Sequence, residues 1–261
     1  MRKYNHKRRE KEGNNLKLPL VVAVVIVLLL LSILFVFFKV LTLGKFVYVN
    51  KLNDGSSEIV IVDPQEDDVV KYLFSSDINV DSSRNYGIYK LGNLWSLSQK
   101  DPIKGRLVTE TITKNFAIPI FLWKDGKDTN LSFYQKIKSL LIEKRKIGYQ
   151  SRIDTNKLPE SLYINFVNSE MVDSTPSVEL DDLTGEPDLI DKVSRIIDVF
   201  GGKITSNSKG YEKDLECEIS GKNREIVKSF AKIFECKIND DDNMLITDVR
   251  IRLGAKFAER F

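Results

Sequence analysis

The chain has 261 residues, with 40 Lys and Arg, 37 Asp and Glu and a single His. Its net charge of +3 is unevenly placed: residues 1–17 hold seven bases and two acids, residues 18–38 hold no charge, and after Lys39 there are 32 bases against 35 acids. A mildly acidic body excludes a nucleic-acid partner recruited by basic surface, and with His6 in the tail the rest of the chain has no imidazole for a catalytic triad or a metal site.

Residues 18–38 are almost entirely Val, Leu, Ile and Phe. Twenty-one helical residues span about 31 Å, one hydrocarbon core. A secretory signal has an apolar run of about 7–15 residues and a small-x-small cleavage site. Here the run is longer and no Ala-x-Ala follows, so an uncleaved anchor is expected, with a cleaved signal as the alternative. The basic tail predicts a cytoplasmic N-terminus. The expected localisation is therefore the cell membrane, crossed once by residues 18–38, with the C-terminal domains extracytoplasmic.

In chain order, residues 46–52, 58–62 and 69–74 are short β-branched or aromatic runs and read as strands. Residues 85–97, aromatic with two glycines, read as an irregular or edge segment. Residues 107–116 and 131–145 read as helices, the second with Tyr134, Ile137, Leu140 and Leu141 sharing a face. Residues 146–160 are polar and read as a linker. In the second half, residues 162–167 alternate as a buried strand. Residues 189–200 repeat at helical spacing, with Pro187 ahead and Gly201-Gly202 as the stop. Strands are expected at 203–206, 215–219, 236–238 and 246–253, and a helix at 223–234. The expected fold is an α/β domain at 45–145, then a smaller α+β domain at 161–261 in the order strand, helix, strand, strand, helix, strand.

Few residues carry chemistry. No Walker loop and no G-x-G-x-x-G occurs. The acidic stretch 239–243 and the pair Asp67-Asp68 read as solvated turns rather than ion sites. Asn130-Leu131-Ser132 matches a glycosylation acceptor. Trp95, Trp123, Tyr86, Tyr89 and Phe116 make either a core or a pocket wall. Cys217 and Cys236 lie in apolar contexts that suit buried thiols, while an exported compartment permits a disulfide between them; both readings stay open.

The order of elements resembles a known pair of domains. Leu162–Asn168 followed by Ser169, a helix ending in Gly201-Gly202, the Cys217 strand, the helix through Phe234 and the terminal Thr247-Asp248-Val249-Arg250-Ile251-Arg252-Leu253-Gly254 are similar to the LytR C-terminal domain. The preceding half is similar to a divergent LytR-CpsA-Psr (LCP) domain. Ser57-Glu58-Ile59-Val60-Ile61-Val62-Asp63-Pro64 resembles that family's Arg-Ser-Asp-Thr strand. The run from Val70 to Ser76-Asp77 resembles its Pro-Arg-Asp strand, and Phe116-Ala117-Ile118-Pro119-Ile120 resembles its Leu-Gly-Ile-Pro-Ile.

The resemblance implies an envelope protein whose family transfers a glycopolymer phosphate from a polyprenyl pyrophosphate carrier to peptidoglycan, with Mg. It also implies where that chemistry is missing. Ser56 and Ser76 stand at the family's two arginines, Glu58 replaces an Asp, and Asp77 alone matches a functional position. Such a site needs fixed cations at the phosphates, and Arg is favoured for its bidentate fork. The resemblance leaves Asp77 as catalytic candidate, Asp77 and Glu58 as Mg ligands if transfer occurs, and Arg84, Arg106 and Trp95 as substrate contacts. A non-catalytic protein without cofactor is expected, binding peptidoglycan, wall glycopolymer or a polyprenyl-linked precursor. The alternatives are an active phosphotransferase and a tethered protein scaffold.

Overall fold

The computed structural model describes residues 17–41, 43–64, 66–143, 148–155, 158–167, 171, 174–240 and 246–261. The chain divides into two units, Met1–Thr42 and Leu43–Phe261. In the first, α1 (Lys17–Leu41) is a helix whose Val21–Val40 stretch has a mean hydropathy of 3.5 and is long and apolar enough to cross a membrane. By length and composition it fits a membrane anchor or a signal sequence.

The second unit is mixed α/β. Its first half runs β1 (Phe46–Lys51), β2 (Ser57–Asp63), β3 (Asp68–Phe74), β4 (Asn79–Ser82), β5 (Gly87–Lys90), α2 (Leu91–Ser98), α3 (Arg106–Phe116), β6 (Leu122–Asp125), β7 (Asp128–Thr129), α4 (Phe133–Glu143) and β8 (Ser151–Ile153). After a 3-10 turn (Glu160–Phe166) come β9 (Ser177–Leu183), α5 (Leu189–Phe200), β10 (Lys203–Lys209), β11 (Cys217–Gly221), α6 (Arg224–Phe234), β12 (Lys237–Ile238), β13 (Val249–Gly254) and α7 (Ala255–Arg260).

Six strands form one sheet in the order β7-β6-β1-β2-β3-β8, and five form a second in the order β10-β9-β13-β11-β12. β2 is buried on both faces, which is why its sequence is a continuous apolar run rather than an alternation. One face of the first sheet gives Val49, Ile59, Ile61, Tyr72 and Phe74 to a core with Leu94 and Trp95 of α2 and Val108 and Ile112 of α3. The other face gives Tyr48, Val60 and Val62 to a smaller cluster with Phe46, Leu122 and Leu131. The second sheet packs Val178, Leu180, Ile219, Val249 and Ile251 with α5 and α6. The Asn223 side chain caps α6 by accepting from the Glu225 and Ile226 N–H groups, an arrangement that contributes about 1 kcal/mol.

The two halves interlock: Leu158, Leu162, Phe166 and Val199 enter the first core, while Ala117 enters the second.

Several expectations are corrected. Residues 162–167 are not a strand: Leu162 and Phe166 are buried but Ile164 between them is 73% exposed, which breaks the alternation. The first strand of the second sheet is instead β9, where Val178 and Leu180 point inward between charged residues. Residues 151–153, inside the stretch read as a linker, form β8 and pair in parallel with β3. Ile246 is 94% exposed and precedes the last strand rather than opening it. Residues 85–97 contain a hairpin strand and α2; Gly92 permits this helix because a Cβ there would lie 2.7 Å from Ser76 Cβ. Most of the acidic stretch 239–243 lies outside the described residues.

Candidate functional site

A cleft of about 790 Å³ opens between α6 and the β6–β7 end of the first sheet. Lys228 and Lys232 reach it from one side of α6, where residues four apart lie one above the other. Lys237 reaches it from β12, while Phe121, Leu122 and Asn130 form the opposite wall. Asn130 holds that wall: its Oδ1 accepts from the Trp123 N–H at 2.8 Å and its Nδ2 donates to the Phe121 carbonyl at 2.7 Å. The amide nitrogen of the glycosylation motif is thus already engaged. Lys228 pairs with Glu225 at 2.7 Å, whereas Lys232 and Lys237 make no ion pair among the described residues.

Arg106 and Glu235 complete the cleft and belong to an ion cluster that joins the two halves. Arg84 grips Glu110 with two N–H donors, at 3.0 and 3.1 Å, and donates to Glu235 at 3.1 Å. Arg106 bonds Glu110 at 3.1 Å and Glu235 at 2.6 Å. Arg260 of α7 donates to Glu235 at 3.2 Å and to the Phe234 carbonyl at 2.7 Å. Its Nε lies 3.1 Å from Glu216 but without hydrogen-bond alignment.

The two glutamates differ. For Glu110, burial works against ionisation, but hydrogen bonds from Arg84 and Glu235 and the surrounding positive charge hold its carboxyl below the ordinary 4.5. For Glu235, burial and the hydrogen bond to Glu110 raise the carboxyl above it, against the pull of Arg106 and Arg260. The two carboxyls therefore titrate as a coupled pair, Glu110 shifted down and Glu235 shifted up.

The residues singled out from sequence are placed as follows. Arg84 and Arg106 come together, but on Glu110 and Glu235, so their guanidinium forks are taken. Trp95 is fully buried and donates its indole N–H to Ser57 Oγ at 2.9 Å, which makes it core rather than a substrate contact. Trp123 and Phe116 are likewise buried. Glu58 is buried in β2 and held by Lys71 at 3.3 Å and Asn50 at 3.2 Å. Asp77 lies in an exposed turn and pairs with Lys90 at 2.8 Å. Each carboxylate named as a Mg ligand therefore already faces a lysine. Cys217 and Cys236 are joined as a disulfide, with Cα atoms 4.6 Å apart.

Glu110, Glu235, Arg260, Lys232 and Lys237 were not foreseen. The Arg106–Glu110 spacing of four on a helix was the available signal for the cluster.

Comparison with protein-family models, with curated proteins and with solved structures finds no match.

Proposed function

We propose that the chain is a single-pass, extracytoplasmic envelope protein, held by residues 18–38 with its basic tail in the cytoplasm, that binds an anionic wall glycopolymer without transforming it. In this reading residues 45–145 are a divergent LytR-CpsA-Psr domain and residues 161–261 a LytR C-terminal-like domain. The observation that carries it is the contrast between arginines held in ion pairs and cleft lysines that make none among the described residues. The arginines that could clamp a pyrophosphate are neutralised by Glu110 and Glu235, while Lys232 and Lys237 face an open cleft with an apolar wall. Unpaired lysines attract phosphate or carboxylate as point charges, and Phe121 and Leu122 offer the sugar backbone an apolar face.

The test is co-sedimentation of the purified full chain with isolated cell wall, with and without added salt. Retention that falls with salt is expected. The pair Lys232→Ala/Lys237→Ala should weaken binding about fivefold to tenfold, on the order of 1 kcal/mol. Retention no greater than that of a control protein overturns the reading.

A further inference from the structure

α4 is packed with its apolar side outward. Phe133, Ile137, Leu140 and Leu141 recur at the spacing of one helix face. Yet Phe133 is 62% exposed, Leu140 55% and Leu141 52%, while Ser139, on the opposite side of the helix, is 1% exposed. A helix that only stabilised the fold would present these faces the other way round. Three large apolar side chains in one exposed stripe mark a surface that meets something apolar.

The topology says where that stripe lies. Leu131, two residues ahead of α4, packs with Phe46, the first residue of β1. Lys138 of α4 lies 3.8 Å from Asp67 in the β2–β3 turn, and the β2 residue opposite Phe46 is Val62, one step before that turn. α4 is therefore at the end of the sheet where the chain enters the folded unit. In sequence, Phe46 is eight positions after Phe38, the last of the uncharged run, a reach of at most about 28 Å. Lys136 is exposed on one flank of the stripe, and the sequence continues as Lys144-Arg145-Lys146. An exposed apolar stripe with a cation on its flank and further bases following in sequence is the pattern of a helix lying in a bilayer interface.

We propose that α4 docks on a lipid leaflet, with Phe133, Leu140 and Leu141 inserted below the headgroups. This rests on reading residues 18–38 as a retained anchor, and it adds a second, reversible membrane contact. A second copy of the chain is the rival occupant.

The test uses the full chain carrying Leu141→Cys labelled with an environment-sensitive fluorophore. The native cysteines are joined to each other, so the new thiol is labelled selectively under non-reducing conditions. The chain is reconstituted in phosphatidylcholine–phosphatidylglycerol vesicles, and a label at exposed Lys209 (Lys209→Cys) is the control. A blue shift at position 141, quenched by acyl-chain nitroxide lipids, with none at position 209, is expected. Phe133→Glu/Leu140→Glu should abolish the shift while the chain remains in the carbonate-washed membrane pellet. No shift in a carbonate-resistant chain overturns the docking and leaves the anchor standing. If carbonate releases the chain, the anchor reading fails, and the label's response to added vesicles then decides docking alone: a shift supports it and no shift overturns it. A shift that follows protein density at fixed lipid also overturns it, in favour of self-association.

Discussion

Arg84 Nη2 donates to Glu235 Oε2 across 3.1 Å and 151 positions of sequence, and both residues have left-handed backbone, φ 62° and 57°. Neither is a glycine, so each bears a conformational cost that the contacts must offset. The bond links the turn after β4 to the end of α6, which makes the cluster a clasp between the halves. Removing its most enclosed acid leaves Arg84 and Arg106 facing Glu235, and Arg260 facing Glu235 and Glu216. Glu110→Ala is expected to cost about 3 kcal/mol, read as a fall in the urea midpoint with unchanged slope. A loss no greater than that of an exposed Glu→Ala control would show that the clasp contributes little.

The pair Glu110 and Glu235 also sets a pH signature. Glu110 is depressed in the folded chain, so below its unfolded value of 4.5 the unfolded state binds more protons and stability falls as pH drops. Glu235 is raised, so above 4.5 the folded state holds the extra proton and stability falls as pH rises through its folded value. The pair's contribution peaks between these limbs. Glu235→Gln mimics the protonated form and should remove the upper limb. Stability profiles of wild type and variant should therefore diverge progressively above pH 4.5, with the variant favoured at about pH 7. Parallel profiles would show that Glu235 is not raised in the folded chain.

Much of the architecture was legible where burial is one-sided and local. α5 and α6 announced themselves by apolar spacing, and α5 also by its glycine stop, because a helix that covers one sheet face must carry that pattern. β9 was missed because Asp181 and Asp182 mask the alternation. Asp181 is nevertheless buried, its charge met by Arg250 at 2.8 Å and Ser208 at 2.6 Å, both distant in sequence. α4 had the right period, but its outward orientation was not legible, since spacing defines a face without saying what covers it. The cluster was illegible for the same reason: Arg84, Glu110, Glu235 and Arg260 become neighbours only when the two halves close.

The disulfide offers a test within the second sheet. Cys217 opens β11 and Cys236 precedes β12, its parallel neighbour, so the bridge closes a loop of 19 positions containing α6. A loop of that length is expected to contribute about 3 kcal/mol by restricting the unfolded chain. The double variant Cys217→Ala/Cys236→Ala should lower the denaturation midpoint accordingly, and reductant should have no further effect on it. Two alkylatable thiols in the unreduced, unfolded wild type would show that the bridge is absent.

Close packing behind the cleft gives a steric prediction. A Cβ on Gly105 would fall inside van der Waals contact with the buried Trp123 ring, whereas one on Gly148 meets nothing within 4 Å. Gly105 has φ −57°, open to any residue, so the penalty is steric alone. Gly105→Ala should cost about 1–3 kcal/mol and shift Trp123 emission. Gly148→Ala should do neither.

Catalysis and binding part company at Asp77. Its carboxylate is held below the usual range by the hydrogen bond and charge of Lys90, and its side chain is 77% exposed. An exposed, lysine-paired carboxylate in a turn lacks the desolvation and converging ligands that a metal-assisted phosphoryl transfer needs. Asp77→Ala is therefore expected to leave both wall retention and thermal stability unchanged, while Lys232→Ala/Lys237→Ala lowers retention alone. The discriminating measurement is pyrophosphate release from a polyprenyl-linked donor with Mg present. Turnover by wild type that vanishes in Asp77→Ala would return the chain to the transferases, and would require Glu58 or another carboxylate to leave its lysine and complete the metal site.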